Sequence, residues 1–142
     1  MADKLLVLGA TKMIGDLLQN NTNIAQLNYN AIIKICNYLG INTKIILSSE
    51  LNKDNSLHAQ DKVININKLL GSGIYINAIG GQELYNRKTF AQNGIELKFI
   101  KMNEIKYQQF KNDFVPNLSI IDVMMFNSVE KIKEMLNNYE LI

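Results

Sequence analysis

The sequence contains very few of the residues that bind metals or form crosslinks: it has one cysteine, Cys36, and one histidine, His58. A single cysteine excludes an intramolecular disulfide, and with one histidine the chain cannot assemble a Cys/His zinc site. Cys36 lies in IIKICNYL, where the apolar spacing is helical, so a small buried side chain is favoured over a nucleophile. We therefore expect no metal site and no cofactor.

Long apolar runs and a strong charge bias are also missing. No apolar run approaches the ~20 residues that cross a bilayer. The run Leu5–Ala10 is too short for a signal peptide and follows the acidic Asp3. Fifteen Lys and Arg against thirteen Asp and Glu give a formal net charge of +2, which is too balanced for a nucleic-acid-binding protein. The sequence predicts a soluble, cytoplasmic protein with no membrane span and no nucleic-acid partner.

Apolar runs of strand length alternate with segments of helical spacing along the 142 residues. Such alternation implies parallel pairing, right-handed crossovers and a sheet covered on both faces. We expect a single α/β domain over residues 1–142, with a mostly parallel, open, Rossmann-like sheet of about four strands flanked by helices. The predicted strands lie at the start of Lys4–Thr11 and at Thr43–Leu47, Ile74–Ile79 and Ile95–Ile100.

In an open parallel sheet, ligands bind beyond the carboxyl ends of the strands. That rule selects Gly9–Gly15, Ser48–Glu50 and Asn77–Gln82. The first has the spacing of a dinucleotide fingerprint, but Lys12 replaces the middle glycine that lets the backbone approach a pyrophosphate, so a plain turn is favoured. At the second, the hydroxyls of Ser48 and Ser49 can bind a phosphate or sugar oxygen, or one of them can cap a helix.

The third point, INAIGGQELY, is the most informative of the three. Gly80 and Gly81 lie between a predicted strand and a predicted helix, where bare backbone N–H groups can face an anion. Equally, the two glycines can serve only to permit a tight turn. Asn77 can add a donor or an acceptor at this place, and Tyr85 can stack on a sugar or a base.

Two side chains are candidates for acid/base chemistry. His58 lies in a polar stretch before a helix, and histidine titrates near neutrality, although a solvated histidine is the simpler interpretation. Asp122 lies inside the apolar sequence IIDVMMF, and a buried carboxylate needs a partner. We expect Asp122 to be paired or to belong to a site.

Several runs, in their order and spacing, resemble the WbqC-like family. They are IIKICNYLGINTKIILSSEL, INAIGGQELYN, Phe90–Phe99, Tyr107–Phe110 and Phe114–Val123. The resemblance extends from about residue 21 to the end, whereas residues 1–20 differ from the family's beginning. The chain thus looks like the carboxyl-terminal part of a family member. The matching positions of interest are Ser48, Ser49, Gly80, Gly81, Tyr85, Tyr107, Pro116, Ser119 and Asp122.

Genes of this family lie in loci for O-antigen and other surface polysaccharides. The resemblance implies a transferase that acts on a nucleotide-activated amino sugar and moves a glycyl or other acyl group. The alternative is a non-catalytic, partial family member that binds a nucleotide sugar or dimerises. A sheet without its amino-terminal part can pair its open edge with another copy, so a homodimer is a further expectation.

Overall fold

The computed structural model describes residues 12–13, 15–16, 23–111 and 113–142. The described residues form two compact units. One contains residues up to Ile45 together with Glu104–Asn138, and the other contains Ile46–Asn103 together with Tyr139–Ile142. In chain order the elements are α1 (Ile24–Leu39), a 3₁₀ turn (Ser48–Glu50), α2 (Ala59–Leu69), β1 (Ile74–Ala78), a 3₁₀ helix (Ile79–Leu84), α3 (Arg87–Gln92), β2 (Glu96–Met102), α4 (Ile120–Phe126), α5 (Val129–Leu136) and β3 (Tyr139–Leu141).

The first unit is built from helices. Helix α1 begins where Asn23 Oδ1 accepts a hydrogen bond from Gln26 N (2.8 Å), and it ends at Gly40 in the left-handed conformation, φ +65°. Both ends match the general preference for Asn before a helix and Gly after one. The buried centre of the unit consists of Leu39, Met124 and Ile132.

The second unit contains a mixed sheet in the order β1-β2-β3. β1 and β2 are parallel, from Ile74 opposite Glu96 to Ala78 opposite Ile100, and β3 is antiparallel to β2. Helix α3 packs on β2. The core of this unit is Ile64, Phe90, Ile95, Leu97 and Phe99.

The structure confirms a mixed α/β protein with a parallel β1–β2 pair, but the rest of the predicted sheet differs. Thr43–Leu47 is not a strand: Thr43, Lys44 and Ile46 are exposed, so the run that looked like a buried strand is an extended segment. The residues after α5 form the antiparallel β3, which is too short to give a periodic signal. Among the described residues the sheet therefore has three strands and is neither mostly parallel nor recognisably Rossmann-like. The strand predicted at the start of Lys4–Thr11 lies outside the described residues.

Within the part of the chain that the structure describes, the second face of the sheet also differs from the expectation that both faces are covered. Leu97 and Phe99 face the core, but the opposite face carries apolar side chains that remain exposed: Ile74, Ile76, Met102, Tyr139 and Leu141. Within the described ranges, no helix is long and apolar enough to cross a membrane. The assignment of residues 1–142 to one domain stays a prediction.

Candidate functional site

The double glycine lies where the sequence places it, directly beyond the carboxyl end of β1, at the start of the 3₁₀ helix Ile79–Leu84. Gly81 is buried, and a Cβ there would lie 2.5 Å from Asn77 Nδ2 and 3.5 Å from the Tyr85 ring. The structure thus brings Asn77, Gly81 and Tyr85 together. Gly80 is exposed, and a Cβ there would meet nothing within 4 Å.

Asn77 and Tyr85 are held in place by neighbouring groups. Asn77 Oδ1 accepts a hydrogen bond from Ala78 N at 2.8 Å. The Tyr85 ring packs edge-on against Tyr75 and Phe90, with centroid distances of 5.7 and 5.8 Å. Burial, together with the hydrogen-bonding Tyr85 hydroxyl, raises the pKa of Tyr75 to about 12. These rings form a fixed aromatic wall beside the glycine turn.

A cleft of about 460 Å³ opens next to this wall. It is lined by Gln82, Tyr85, Asn86, Arg87, Lys88 and Phe99. The Arg87 guanidinium is fixed, since Nη1 donates to the Leu97 carbonyl (3.0 Å) and the group lies 5.3 Å from the centroid of the Phe99 ring. Lys88 is exposed, so its ammonium can reach a ligand. The lining residues offer two cations, two aromatic rings and no carboxylate.

The two amide side chains that line the cleft, Asn86 and Gln82, differ in how many of their polar atoms are available to a ligand. Asn86 Oδ1 accepts a hydrogen bond from Thr89 N (3.2 Å) and caps α3, so that acceptor is already used. Gln82 also lines the cleft and is exposed. An amide side chain can both donate to and accept from sugar hydroxyls.

The remaining predicted residues of this unit lie at exposed positions. Ser48 and Ser49 form part of the 3₁₀ turn, and Lys53 Nζ donates to the Ser48 carbonyl. His58 precedes α2 as its N-cap residue, but its side chain makes no capping hydrogen bond. The Gly9–Gly15 motif falls largely outside the described residues. That Ser48, Ser49 and the glycine turn share one hollow stays a prediction.

Asp122 belongs to the first unit, in α4, and it is paired as expected. Its Oδ2 accepts hydrogen bonds from the Tyr107 hydroxyl (2.6 Å) and from Gln109 Nε2 (2.9 Å). Burial, and then the hydrogen bond to Asp122, raises the pKa of Tyr107 above its ordinary value. Gln109 is buried. Its Nε2 also donates to the Val115 carbonyl (3.1 Å), and its Oε1 accepts a hydrogen bond from Val115 N (2.7 Å).

The sequence did not single out Gln109, Arg87, Lys88 or Phe99. Gln109 belongs to Y-Q-Q-F, where nothing local distinguishes it from Gln108. Arg87-Lys88 directly follows INAIGGQELYN, and a basic pair after a glycine turn is a signal that could have been used. Among residues 12–13, 15–16, 23–111 and 113–142, no group of three or more His, Cys, Asp or Glu side chains is placed to hold a metal ion.

A family model described as the WbqC-like protein family matches residues 10–134 of this chain. The chain belongs to the WbqC-like protein family. The match begins at residue 10, so the WbqC-like region is not confined to the carboxyl-terminal part, and the expected start near residue 21 is wrong. No curated protein and no solved structure matches the chain. Both units of the structure contain WbqC-like residues, including the cleft and the Asp122 cluster.

Proposed function

We propose that this WbqC-like chain binds a nucleotide-activated amino sugar in the cleft beside Tyr85 and acts in the assembly of surface polysaccharide. The observation that carries the proposal is the pairing of two cations with an aromatic ring in one open cleft. A sugar nucleotide has a diphosphate, a flat base and many hydroxyls, and each of these has a matching group here. Family membership supports the same substrate class.

Each lining residue is proposed to bind a different part of the ligand. Lys88 binds a phosphate oxygen through a charge-assisted hydrogen bond, and the fixed Arg87 guanidinium adds positive charge nearby. Tyr85 stacks on the base or the sugar. Gln82 bonds to hydroxyls, while the hydroxyls of Ser48 and Ser49, the Asn77 amide and the backbone at Gly80 and Gly81 are further proposed contacts.

Thermal unfolding in the presence of UDP-, dTDP-, CDP- and GDP-sugars tests the proposal. A ligand at 100 times its Kd stabilises the folded state by about 2.7 kcal/mol, which is a measurable rise in Tm. We expect one nucleotide class to raise Tm. If none does so at millimolar concentration, the substrate class is wrong.

The Lys88→Ala variant tests whether the ligand binds in the cleft. A hydrogen bond to a charged group contributes about 1.5–3 kcal/mol, so Kd should rise roughly tenfold or more. The matched control is Lys98→Ala, which also removes one positive charge. Lys98 precedes Phe99 in β2 and therefore lies on the other face of the sheet, where it pairs with Glu96 at 3.3 Å. Equal affinities of the two variants would place the ligand elsewhere.

For catalysis we propose acyl transfer to the sugar amine, with His58, which belongs to the same unit as the cleft, as the proton acceptor. Asp122, in the other unit, stays a separate acid/base candidate. The amine attacks the acyl carbon of an activated donor, the amide bond forms, and the bond to the leaving group breaks as the base takes the proton. His58→Gln should then lose turnover and keep Tm, and Asp122→Asn is the corresponding test of Asp122. The second candidate is a non-catalytic binding module, favoured by the satisfied Asp122 Oδ2 and the solvated His58. Turnover of an amino-sugar nucleotide by the wild-type chain would eliminate it.

A further inference from the structure

Strand β1 forms one edge of the described sheet, and only half of its backbone groups are used by β2. The Gly73 carbonyl accepts from Glu96 N at 2.8 Å, and the ladder continues with the same parity. In a parallel pair, alternate residues of a strand bond to its neighbour. The N–H and C=O groups of Tyr75 and Asn77 therefore face β2, whereas those of Ile74 and Ile76 face away.

Two of the outward groups are satisfied by side chains, one from Ser72 just before β1 and one from Asn77 within it. The Ser72 hydroxyl donates to the Ile74 carbonyl at 2.7 Å, and Ala78 N donates to Asn77 Oδ1 at 2.8 Å. Between these two points, the N–H and C=O of Ile76 have no protein partner among the described residues. The edge is thus satisfied near both ends and open at its middle.

The sequence of this edge lacks two of the features that usually prevent strand pairing. Unpaired edges are normally protected by Lys, by Pro or by a covering element. No charged residue and no proline occurs in residues 69–82, and Ile74 and Ile76 are each 48% exposed. An uncharged, apolar edge with a free donor and a free acceptor on one residue is complementary to itself.

We propose that two copies of this protein pair through antiparallel β1 strands, with the two-fold axis at Ile76. In that register each Ile76 N–H donates to the Ile76 carbonyl of the second copy, and Ile74 lies opposite Ala78. An axis at Tyr75 would direct both Ile76 N–H groups to the Ile74 carbonyls, and an axis at Ile74 would use the same carbonyls, which Ser72 already occupies. Of these three axes, only the one at Ile76 pairs the unused N–H and C=O of Ile76 with each other. The result is a continuous six-stranded sheet, independent of what the cleft binds.

Cysteine crosslinking tests the register in a Cys36→Ser background. Directly opposed residues in a hydrogen-bonded antiparallel pair have Cα atoms about 5.5 Å apart, within the disulfide range of about 4.4–6.8 Å. The Cα atoms of the two copies of residue 74 would be at least ~14 Å apart, since they are offset by four residues at ~3.4 Å each. Under oxidation, Ile76→Cys should form a covalent dimer, and the equally exposed Ile74→Cys should form none. Equal crosslinking by the two variants would overturn the register.

Sedimentation equilibrium of the wild-type chain tests the dimer itself. We expect a concentration-dependent mass that approaches twice the 16.1 kDa of one chain. Ile76→Pro removes only an N–H that faces away from β2, a position where edge strands tolerate proline, so it should abolish the dimer with little change in Tm. A wild-type protein that stays monomeric at the highest attainable concentration would refute the pairing.

Discussion

Asp122 lies in an apolar helix, and the two side chains that bond to its Oδ2 precede it by 15 and 13 residues. A half-buried carboxylate without donors would cost several kcal/mol, so the local sequence already required partners. It could not identify them, because Tyr107 and Gln109 precede the helix in a segment without regular structure. The local sequence thus shows that a buried charge needs a partner, but the tertiary structure decides which residue that partner is.

Gln109→Ala should be among the most destabilising substitutions in the first unit. The side chain donates to Asp122 and Val115 and accepts from Val115 N, and leaving such buried groups unpaired costs about 1–3 kcal/mol each. We expect the free energy of unfolding, measured in urea, to fall by at least ~2 kcal/mol. The control is Gln108→Ala, at an exposed position, which should change it by less than about 0.5 kcal/mol. Similar losses in both variants would mean that the Gln109 network contributes nothing specific.

The two adjacent glycines should respond differently to alanine. At Gly81 the added Cβ meets the Asn77 amide at 2.5 Å, and overpacking of this kind costs about 1–3 kcal/mol. At Gly80 the Cβ meets open space, so Gly80→Ala should be neutral or slightly stabilising. Denaturant unfolding of both variants measures the difference. Equal behaviour would show that Asn77 moves aside without cost.

The glycine pair also shows how far the sequence specifies a site. Local spacing predicts a strand before the double glycine and places Asn77 and Tyr85 on either side of it. The structure has the strand β1 there and brings Asn77 and Tyr85 close to Gly81. The sequence left open why glycine is needed, and for Gly81 the answer is the approach of the Asn77 side chain rather than a left-handed φ. The cleft could not be predicted, because Phe99 reaches it from another strand.

At the scale of elements, helix ends depend on local residues more than strands do. Asn23 and Gly40 at the two ends of α1, Ser119 before α4 and Ser128 before α5 are each neighbours of the helix that they begin or end. Strands depend on a partner: Ile74–Ile79 and Ile95–Ile100 find each other, whereas Thr43–Leu47 finds none among the described residues and remains extended. A short apolar run cannot reveal whether another strand is available, and the same holds for β3.

Ser128 tests the contribution of one such local signal. Its Oγ accepts from Lys131 N at 3.3 Å at the start of α5, the helix that contributes the buried Ile132. Loss of a cap costs about 0.5–2 kcal/mol, so Ser128→Ala should lower the unfolding free energy by ~1 kcal/mol. Ser128→Asp keeps an acceptor and should retain most of that stability. If Asp fails to rescue, the loss does not come from the cap.

At the scale of the whole molecule, each unit contains a tyrosine whose burial should make stability depend on pH in the alkaline range. Tyr75 in the second unit and Tyr107 in the first both have a raised pKa, chiefly because burial disfavours the phenolate. In each unit the affected ring belongs to the cluster that defines the candidate site, the aromatic wall in one and the Asp122 network in the other. Loss of these protons should therefore weaken the fold at those two places first.

The pH dependence follows from the sign of the shift. An unfolded tyrosine titrates near 10, and Tyr75 in the folded chain titrates at about 12, so the folded state holds its proton longer. The stabilisation is complete below pH 10 and is lost as the pH rises towards 12, because the unfolded state releases the proton first. We expect the unfolding free energy to decline over this window in urea titrations at successive pH values. The comparison that isolates the tyrosine is Tyr75→Phe, whose decline should be shallower although its stability at pH 7 is altered. Parallel curves for the two proteins would place the alkaline loss outside the aromatic wall.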